Sequence, residues 1–387
     1  MNISALLTKR FFHGVVAVLH TPLIAIIYII KPFIKIKFGY LSAERVGHFG
    51  LDLAHEIAVK NKNNKEIIFY YLQGDISNIQ LEAISKRELN VSPYYRYFVY
   101  AYMLMGLDKE IVRPNRHNGG SFNIDGTVYF SKYNISMLPK ENKVSELYLK
   151  KYGWKKGEKF ICLNVRDSAF FNESKESHHA CRNSNIDDYE KAVCYLLDLG
   201  YWVIRMGVKV KNPFKIKHDK LIDYGASPGR NDLLDIWLCK NCYFFISTST
   251  GVDSVALMFK KPIVIVNLVQ IIYMYSWANS ITTPKKLFWR NGKSLTLKEC
   301  LDNQNTNKFQ EKGIMAVDLT ADEIKSTVKE MVDRLRNISM TKEQLKNKNN
   351  FWNVMEGHDS YRKCHGVRDP NASCGMSFLD NNPNFLL

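Results

Sequence analysis

The sequence predicts an α/β protein built from two domains, each a largely parallel sheet covered by helices. Three observations predict it. Short apolar runs rich in β-branched and aromatic residues, at 160–165, 243–246 and 263–267, read as buried parallel strands. Amphipathic, helix-sized stretches alternate with them, which is the pattern of a parallel sheet with helices on both faces. The 387 residues, 46% of them hydrophobic and 12% aromatic, are enough for two cores of ordinary size.

The formal net charge of +16 points to an anionic partner: nucleic acid, an acidic membrane surface or a phosphorylated ligand. Lysines are spread along the chain and no nucleic-acid motif is visible, so nucleic acid is set aside. Among the eight cysteines, Cys239 and Cys242 form a CxxC with no second pair at zinc spacing, and they sit where a helix runs into a strand. Core packing explains them better than metal or redox work. Thiols used as small hydrophobes suit a reducing, cytoplasmic location.

The most hydrophobic window, 11–30, is nearly as long as a membrane span, but His13, His20, Thr21 and Pro22 interrupt it. No small-residue cleavage site follows, which argues against a signal peptide. Lys9 and Arg10 precede the window, and Lys31, Lys35 and Lys37 follow it. Cations on both flanks favour a hairpin or in-plane helix on an anionic leaflet as strongly as a crossing. Residues 1–31 are therefore expected to be a hydrophobic, membrane-associating segment, with a buried amphipathic helix as the alternative.

The first α/β domain is expected at 32–152. Residues 34–38 alternate as a strand, 45–50 read as a second strand and turn around Gly47-His48-Phe49-Gly50, and 51–60 read as a helix. A strand at 67–72 and an aromatic-rich helix at 94–105 follow. A mostly polar helix, then Gly153 and Gly157, marks the boundary.

The second domain, 153–340, is more regular. A strand at 160–165 ends in Arg166-Asp167, and a polar loop at 168–184 carries His178, His179 and Arg182. The helix at 187–199 closes on Gly200, and the strand at 201–204 ends in Arg205. A short strand at 220–224 and a helix at 232–239 lead to the most informative stretch. There, strand 243–246, the turn Ser247-Thr248-Ser249-Thr250-Gly251, helix 252–259 and strand 263–267 form a βαβ unit. Thr320 and Glu323 stand at capping-box spacing and start a helix to about 336. The tail, 341–387, is polar until Phe351-Trp352 and the apolar residues of its end, which dock back on the body.

The chemistry concentrates at the carboxyl edge of that second sheet. Ser249 or Thr250 can cap the helix after the turn, Gly251 lets backbone approach a ligand, and N–H groups at a helix start suit phosphate. Arg166 and Arg205 fall just past two strands of the same sheet, and arginine pairs bidentately with phosphate oxygens. Arg166, Arg205, Ser247, Ser249, Thr250 and Gly251 are thus the expected holders of a nucleotide-sugar diphosphate, whose departing charge fixed cations stabilise. The alternative is that each arginine pairs with a nearby carboxylate such as Asp167. Arg182, Lys285 and Lys286 are further substrate-binding candidates. There is no Asp-x-Asp motif, so the expectation is metal-independent transfer with no cofactor beyond the donor, and His178, His179 and Cys181 do not make a zinc site. His48, or Asp52 one turn on, is the candidate to take the acceptor hydroxyl's proton.

Several runs together resemble a known family. They are Arg45-Val46-Gly47-His48, Asn164-Val165-Arg166-Asp167, Arg182-Asn183-Ser184, Gly200-Tyr201-x-Val203-x-Arg205-Met206-Gly207, Thr283-Pro284-Lys285-Lys286 and the closing Ser377-Phe378-Leu379-x-x-Asn382-Pro383. They look like the bacterial glycosyltransferases associated with surface-polysaccharide biosynthesis genes, over about 32–387. The resemblance implies a GT-B-like fold, two Rossmann-like domains facing a cleft. It also implies sugar transfer onto a growing glycan; together with the reducing location and the segment 1–31, the expectation is a peripheral or monotopic enzyme at the cytoplasmic face of the inner membrane, acting on a glycan or lipid-linked acceptor. One departure matters: where the family's turn continues with Pro-Ser, this chain has Val252-Asp253-Ser254, which adds a negative charge beside the expected phosphate. The rival readings are a sugar-nucleotide epimerase on the same fold and a non-catalytic polysaccharide-assembly factor.

Overall fold

The computed structural model describes residues 14–62, 66–113, 123–167, 181–208 and 210–387. Lys9, Arg10, His13, His178 and His179 lie outside these residues. The chain divides into two compact units, Met1–Arg116 with Phe130–Ile135, and His117–Tyr129 with Ser136–Leu387. The helix Pro139–Lys150, expected in the first domain, belongs to the second unit. There the Trp237 indole of the helix Asp232–Asn241 donates to Asn142 Oδ1 at 2.9 Å.

In the first unit β1 (Lys35–Ser42), β2 (Glu66–Gln73) and β3 (Asn90–Val91) form a parallel sheet in that order. Val112 bridges to β1 at Gly39, where any Cβ would lie 2.3 Å from the Val112 carbonyl oxygen, so only glycine fits. Phe38 of β1 stacks on Phe98 of the helix Arg96–Leu104, with ring centroids 4.3 Å apart. Val99, Tyr102 and Tyr71 complete this core, and so do Ala17 and Ile24 from the N-terminal helical stretch. That stretch, 14–19 and Thr21–Ile30, is thus part of the first unit rather than a separate appendage. Among the described residues no helix is long and apolar enough to cross a membrane.

The strand and turn expected at 45–50 are instead the start of a helix, Val46–Lys62. Phe49, Leu53 and Ile57 recur every fourth residue and are buried, which is a helical period that sets in before Leu51. Gly47 and Gly50 are buried in the helix rather than exposed in a turn.

Among the described residues the second unit holds nine strands. β4 (Phe160–Asn164), β5 (Trp202–Arg205), β6 (Leu221–Ile222), β7 (Phe245–Ser247), β8 (Ile263–Leu268) and β9 (Ser280–Pro284) come first. β10 (Lys286–Trp289) and β11 (Ile314–Val317) make a separate antiparallel pair, and β12 (Ser373–Cys374) comes from the tail. The main sheet is parallel throughout, in the order β12-β9-β8-β7-β4-β5-β6. The strands β4, β5, β7 and β8 are buried along their whole length, which explains their unbroken apolar runs. The helix Ala321–Leu335 opens on the Thr320–Glu323 capping box. All eight cysteines are free thiols, and Cys239 and Cys242 are buried in the core.

Candidate functional site

The chain leaves β4 toward β5 and β6, then returns to lay β7 on the opposite side of β4 and continues to β8 and β9. The direction of strand succession therefore reverses between β4 and β7. Open parallel sheets bind ligands outside the carboxyl ends of such a pair, where the two connections diverge and leave a crevice. Here the last residues of the two strands, Asn164 and Ser247, are register partners. The loops beyond them are laced together: Asn164 Nδ2 donates to Thr250 Oγ1 at 2.8 Å, and the Arg166 backbone N–H donates to Thr248 Oγ1 at 2.9 Å.

Ser249 stands at the apex of the turn with φ 60°, a left-handed conformation that is uncommon for a non-glycine residue and costs it energy. Its carbonyl accepts from Arg182 Nη2 at 2.8 Å. Arg182 belongs to a short strap, 181–184, that crosses the carboxyl edge of the sheet. The Ser184 N–H donates to the Arg166 carbonyl at 2.9 Å, and Asn267 Nδ2, at the end of β8, donates to Ser184 Oγ at 2.9 Å. The half-buried side chains of Arg166 and Arg182 are thus anchored by their backbones on either side of the turn. Immediately before Arg182, Cys181 lines an open cavity of about 620 Å³ together with Arg290, Thr306, Phe309 and Gln310.

Asp253 changes what the turn can do. It is fully buried and accepts from the Thr250 N–H at 2.8 Å, from the Thr250 hydroxyl at 2.9 Å and from the Ser247 hydroxyl. Burial pushes its carboxyl up to about 6, against the lowering effect of those hydrogen bonds and of the Arg182 charge. The expectation that hydroxyls and N–H groups at this helix start await a phosphate is therefore corrected for Ser247 and Thr250. A carboxylate of the chain itself already occupies them, and the helix that follows, Asp253–Met258, is under two turns long. Gly251 is exposed and Ser249 half-buried, so the apex itself stays accessible.

Three expected cations are committed elsewhere. Arg205 is only 1% exposed: its Nη1 donates to the Asn212 carbonyl at 2.6 Å and to Asp223 Oδ2 at 3.3 Å. Asp167 Oδ2 stands 3.8 Å from its other terminal nitrogen, and Phe214 packs against the guanidinium at 5.4 Å. This is the ion-paired alternative, because two carboxylates from adjacent strand-end loops reach Arg205 before any ligand can. Lys285, 5% exposed, donates to Asp318 at 2.5 Å and to the Asn183 carbonyl at 2.8 Å. Lys286 spans both oxygens of Glu323 at 3.0 Å. Neither lysine is positioned to close over a ligand.

His48 and Asp52 are in the first unit. His48 is half-buried in the first turn of the helix Val46–Lys62, and Asp52 is buried one turn along the same face. Among the described residues there is no cluster of three or more metal-ligating side chains. Asn164 and Asp253 are the site residues that sequence reasoning did not assign. Each had a signal, a polar residue ending an apolar strand and an acid in the first turn of a helix.

No family model matches the chain, and no curated protein does. Its backbone is similar to a glycosyl transferase family 9 structure from Veillonella parvula, at 9% identity over 65% of this chain and 86% of that one, TM-score 0.44. It is also similar to the iron-containing heptosyltransferase TibC in complex with ADP-D-beta-D-heptose, at 11% identity over 79% and 78%, TM-score 0.41. A third is the E. coli ADP-heptose lps heptosyltransferase II, at 11% identity over 71% and 97%, TM-score 0.34.

Proposed function

We propose that this protein is a metal-independent glycosyltransferase of surface-polysaccharide biosynthesis. It would move a sugar from a nucleotide-sugar donor onto a glycan or lipid-linked acceptor at the cytoplasmic face of the inner membrane. The observation that carries the reading is a coincidence of place: Arg166, Arg182 and the partly exposed Ser249–Gly251 apex all border the strand-order reversal between β4 and β7. Two guanidiniums there suit a diphosphate, and fixed cations offset the charge that develops on a departing nucleoside diphosphate. The cavity beside Cys181 offers room for the remainder of the donor. On the acceptor side the base is His48, with the buried Asp52 positioning rather than accepting.

Melting curves with ADP, UDP, GDP, CMP and dTDP test the donor site. One nucleotide should raise the melting temperature, since a ligand at about 100 times its Kd adds roughly 2.7 kcal/mol to stability. Arg166→Ala and Arg182→Ala should each abolish that rise, while the ligand-free variants still melt cooperatively with a loss of no more than about 1 kcal/mol. A panel without effect, or a rise that survives both substitutions, would overturn the reading. Nucleotide release that depends on added acceptor separates transfer from epimerisation. His48→Ala should slow that release by about 10²-fold or more and leave the nucleotide-induced rise intact; unchanged turnover removes His48 from the mechanism.

A further inference from the structure

The N-terminal helical stretch has two faces of opposite character. Ala17, His20 and Ile24 point inward and are buried, and His20 is held at both ring nitrogens, by the Val16 carbonyl and the Tyr94 hydroxyl, each at 2.6 Å. At the other end Lys31 Nζ donates to Glu110 at 3.1 Å. The outer face is a row of large apolar side chains at helical spacing: Val18, Leu19, Leu23, Ile26 and Ile29, continued by Phe33. Leu19 is 69% exposed, Ile29 74% and Phe33 88%. Soluble surfaces rarely leave so long an apolar row uncovered unless it meets a partner.

We infer that this row is a docking face for an anionic lipid bilayer, with the helix lying in the plane of the surface. A helix pinned along one side to its own domain offers lipid only its other side, which excludes a crossing and suits interfacial burial. The rim supplies the sign. Lys31 and Lys37 are each paired with an acid, Glu110 and Glu66, and the exposed Lys35 and Lys109 tip the rim to the positive side, on a chain that carries +16. A second copy of this chain would bring the same basic rim against itself, opposing like charges, whereas anionic headgroups complement it. This surface is independent of the donor site, and binding to it requires no nucleotide.

Co-sedimentation of the full chain with vesicles tests the inference. The protein should pellet with vesicles of phosphatidylcholine plus phosphatidylglycerol, bind phosphatidylcholine alone far less, and be released as salt is raised. The double substitution Leu19→Glu with Ile26→Glu should weaken binding by on the order of tenfold or more, at an unchanged melting temperature. Lys35→Glu, which leaves the apolar row whole, should weaken binding to the anionic vesicles only. Wild-type protein that stays in the supernatant with both vesicle types overturns the proposal. So does a folded double variant that pellets like wild type, or a concentration-dependent dimer that the same double substitution disperses.

Discussion

At Arg205 the guanidinium lies between Asp223 and Asp167 with an aromatic ring against it, whereas Arg182 makes its hydrogen bond to a backbone carbonyl at a half-exposed turn. The difference between a structural and a ligand-facing arginine is thus made by neighbours that are distant in sequence. Arg205→Ala would leave two carboxylates without their buried cation. Removing one partner of such a pair costs about 3–5 kcal/mol. The urea midpoint of Arg205→Ala should therefore fall well below that of wild type, while Arg182→Ala should lose about 1 kcal/mol, the worth of one hydrogen bond. A variant at Arg205 that keeps wild-type stability but no longer responds to nucleotide would return that residue to the donor site. The same logic explains Asp253: an acid three residues past a hydroxyl turn reads in sequence as a charge near phosphate, but in the fold it satisfies the turn from within.

Elements were legible where one period dominates. The buried strands β4, β7 and β8 announce themselves as apolar runs, and the Thr320 cap falls where its side chain accepts from the Glu323 N–H. β9 was not legible. Its residues Ser280, Thr282 and Thr283 look like a loop, yet all are buried, with Ser280 donating to the Tyr275 carbonyl and Thr283 sharing a hydrogen bond with Thr327. Hydroxyls satisfied inside a core cannot be told from loop hydroxyls without the partner strand. At the end of β9 and the start of β10, Lys285 and Lys286 meet Asp318 and Glu323, which takes them out of their expected role. A second hidden device is Glu330, which is half-buried and accepts from the Met376 and Ser377 N–H groups that open the helix Met376–Asn381. Burial pushes its carboxyl up to about 7, opposed by those N–H groups and by Arg334, with Asp380 adding to the rise. The folded state thus holds this proton more tightly than the unfolded chain does. The contribution of Glu330 to stability should fall as pH rises from the ordinary carboxyl range toward 7 and level off above it. Melting temperatures from about pH 5 to about pH 8 check this: Glu330→Gln should flatten the decline, so its melting point gains on wild type as pH rises. Parallel curves would show that Glu330 does not titrate in this range.

At the scale of the whole molecule, the helical stretch from residue 14 and the C-terminal tail are each built into the core of their own unit. The tail gives the main sheet its edge strand, β12, in register with β9, and its helix Lys342–Gly357 buries Phe351 and Trp352, whose indole donates to the Ala372 carbonyl at 3.2 Å. Arg334 ties the same region down by reaching the Asn371 carbonyl and Ser373 Oγ at 2.5 and 2.8 Å. At the other end, Ala17 and Ile24 share a core with Phe38 and Phe98. Deleting residues 1–31 would therefore expose that core rather than simply detach an anchor, so membrane binding has to be probed by substitutions on the outer row. For the tail the expectation is equally direct. Ending the chain at Ile338 removes four buried aromatic side chains, Phe351, Trp352, Phe378 and Phe385, of the kind that cost about 3–5 kcal/mol each when truncated, against a total domain stability of about 5–15 kcal/mol. The shortened protein should be largely insoluble on expression, or if soluble should show no cooperative melting of the second unit. A truncated chain that melts cooperatively at the wild-type temperature and still responds to nucleotide would show that the tail only decorates the sheet.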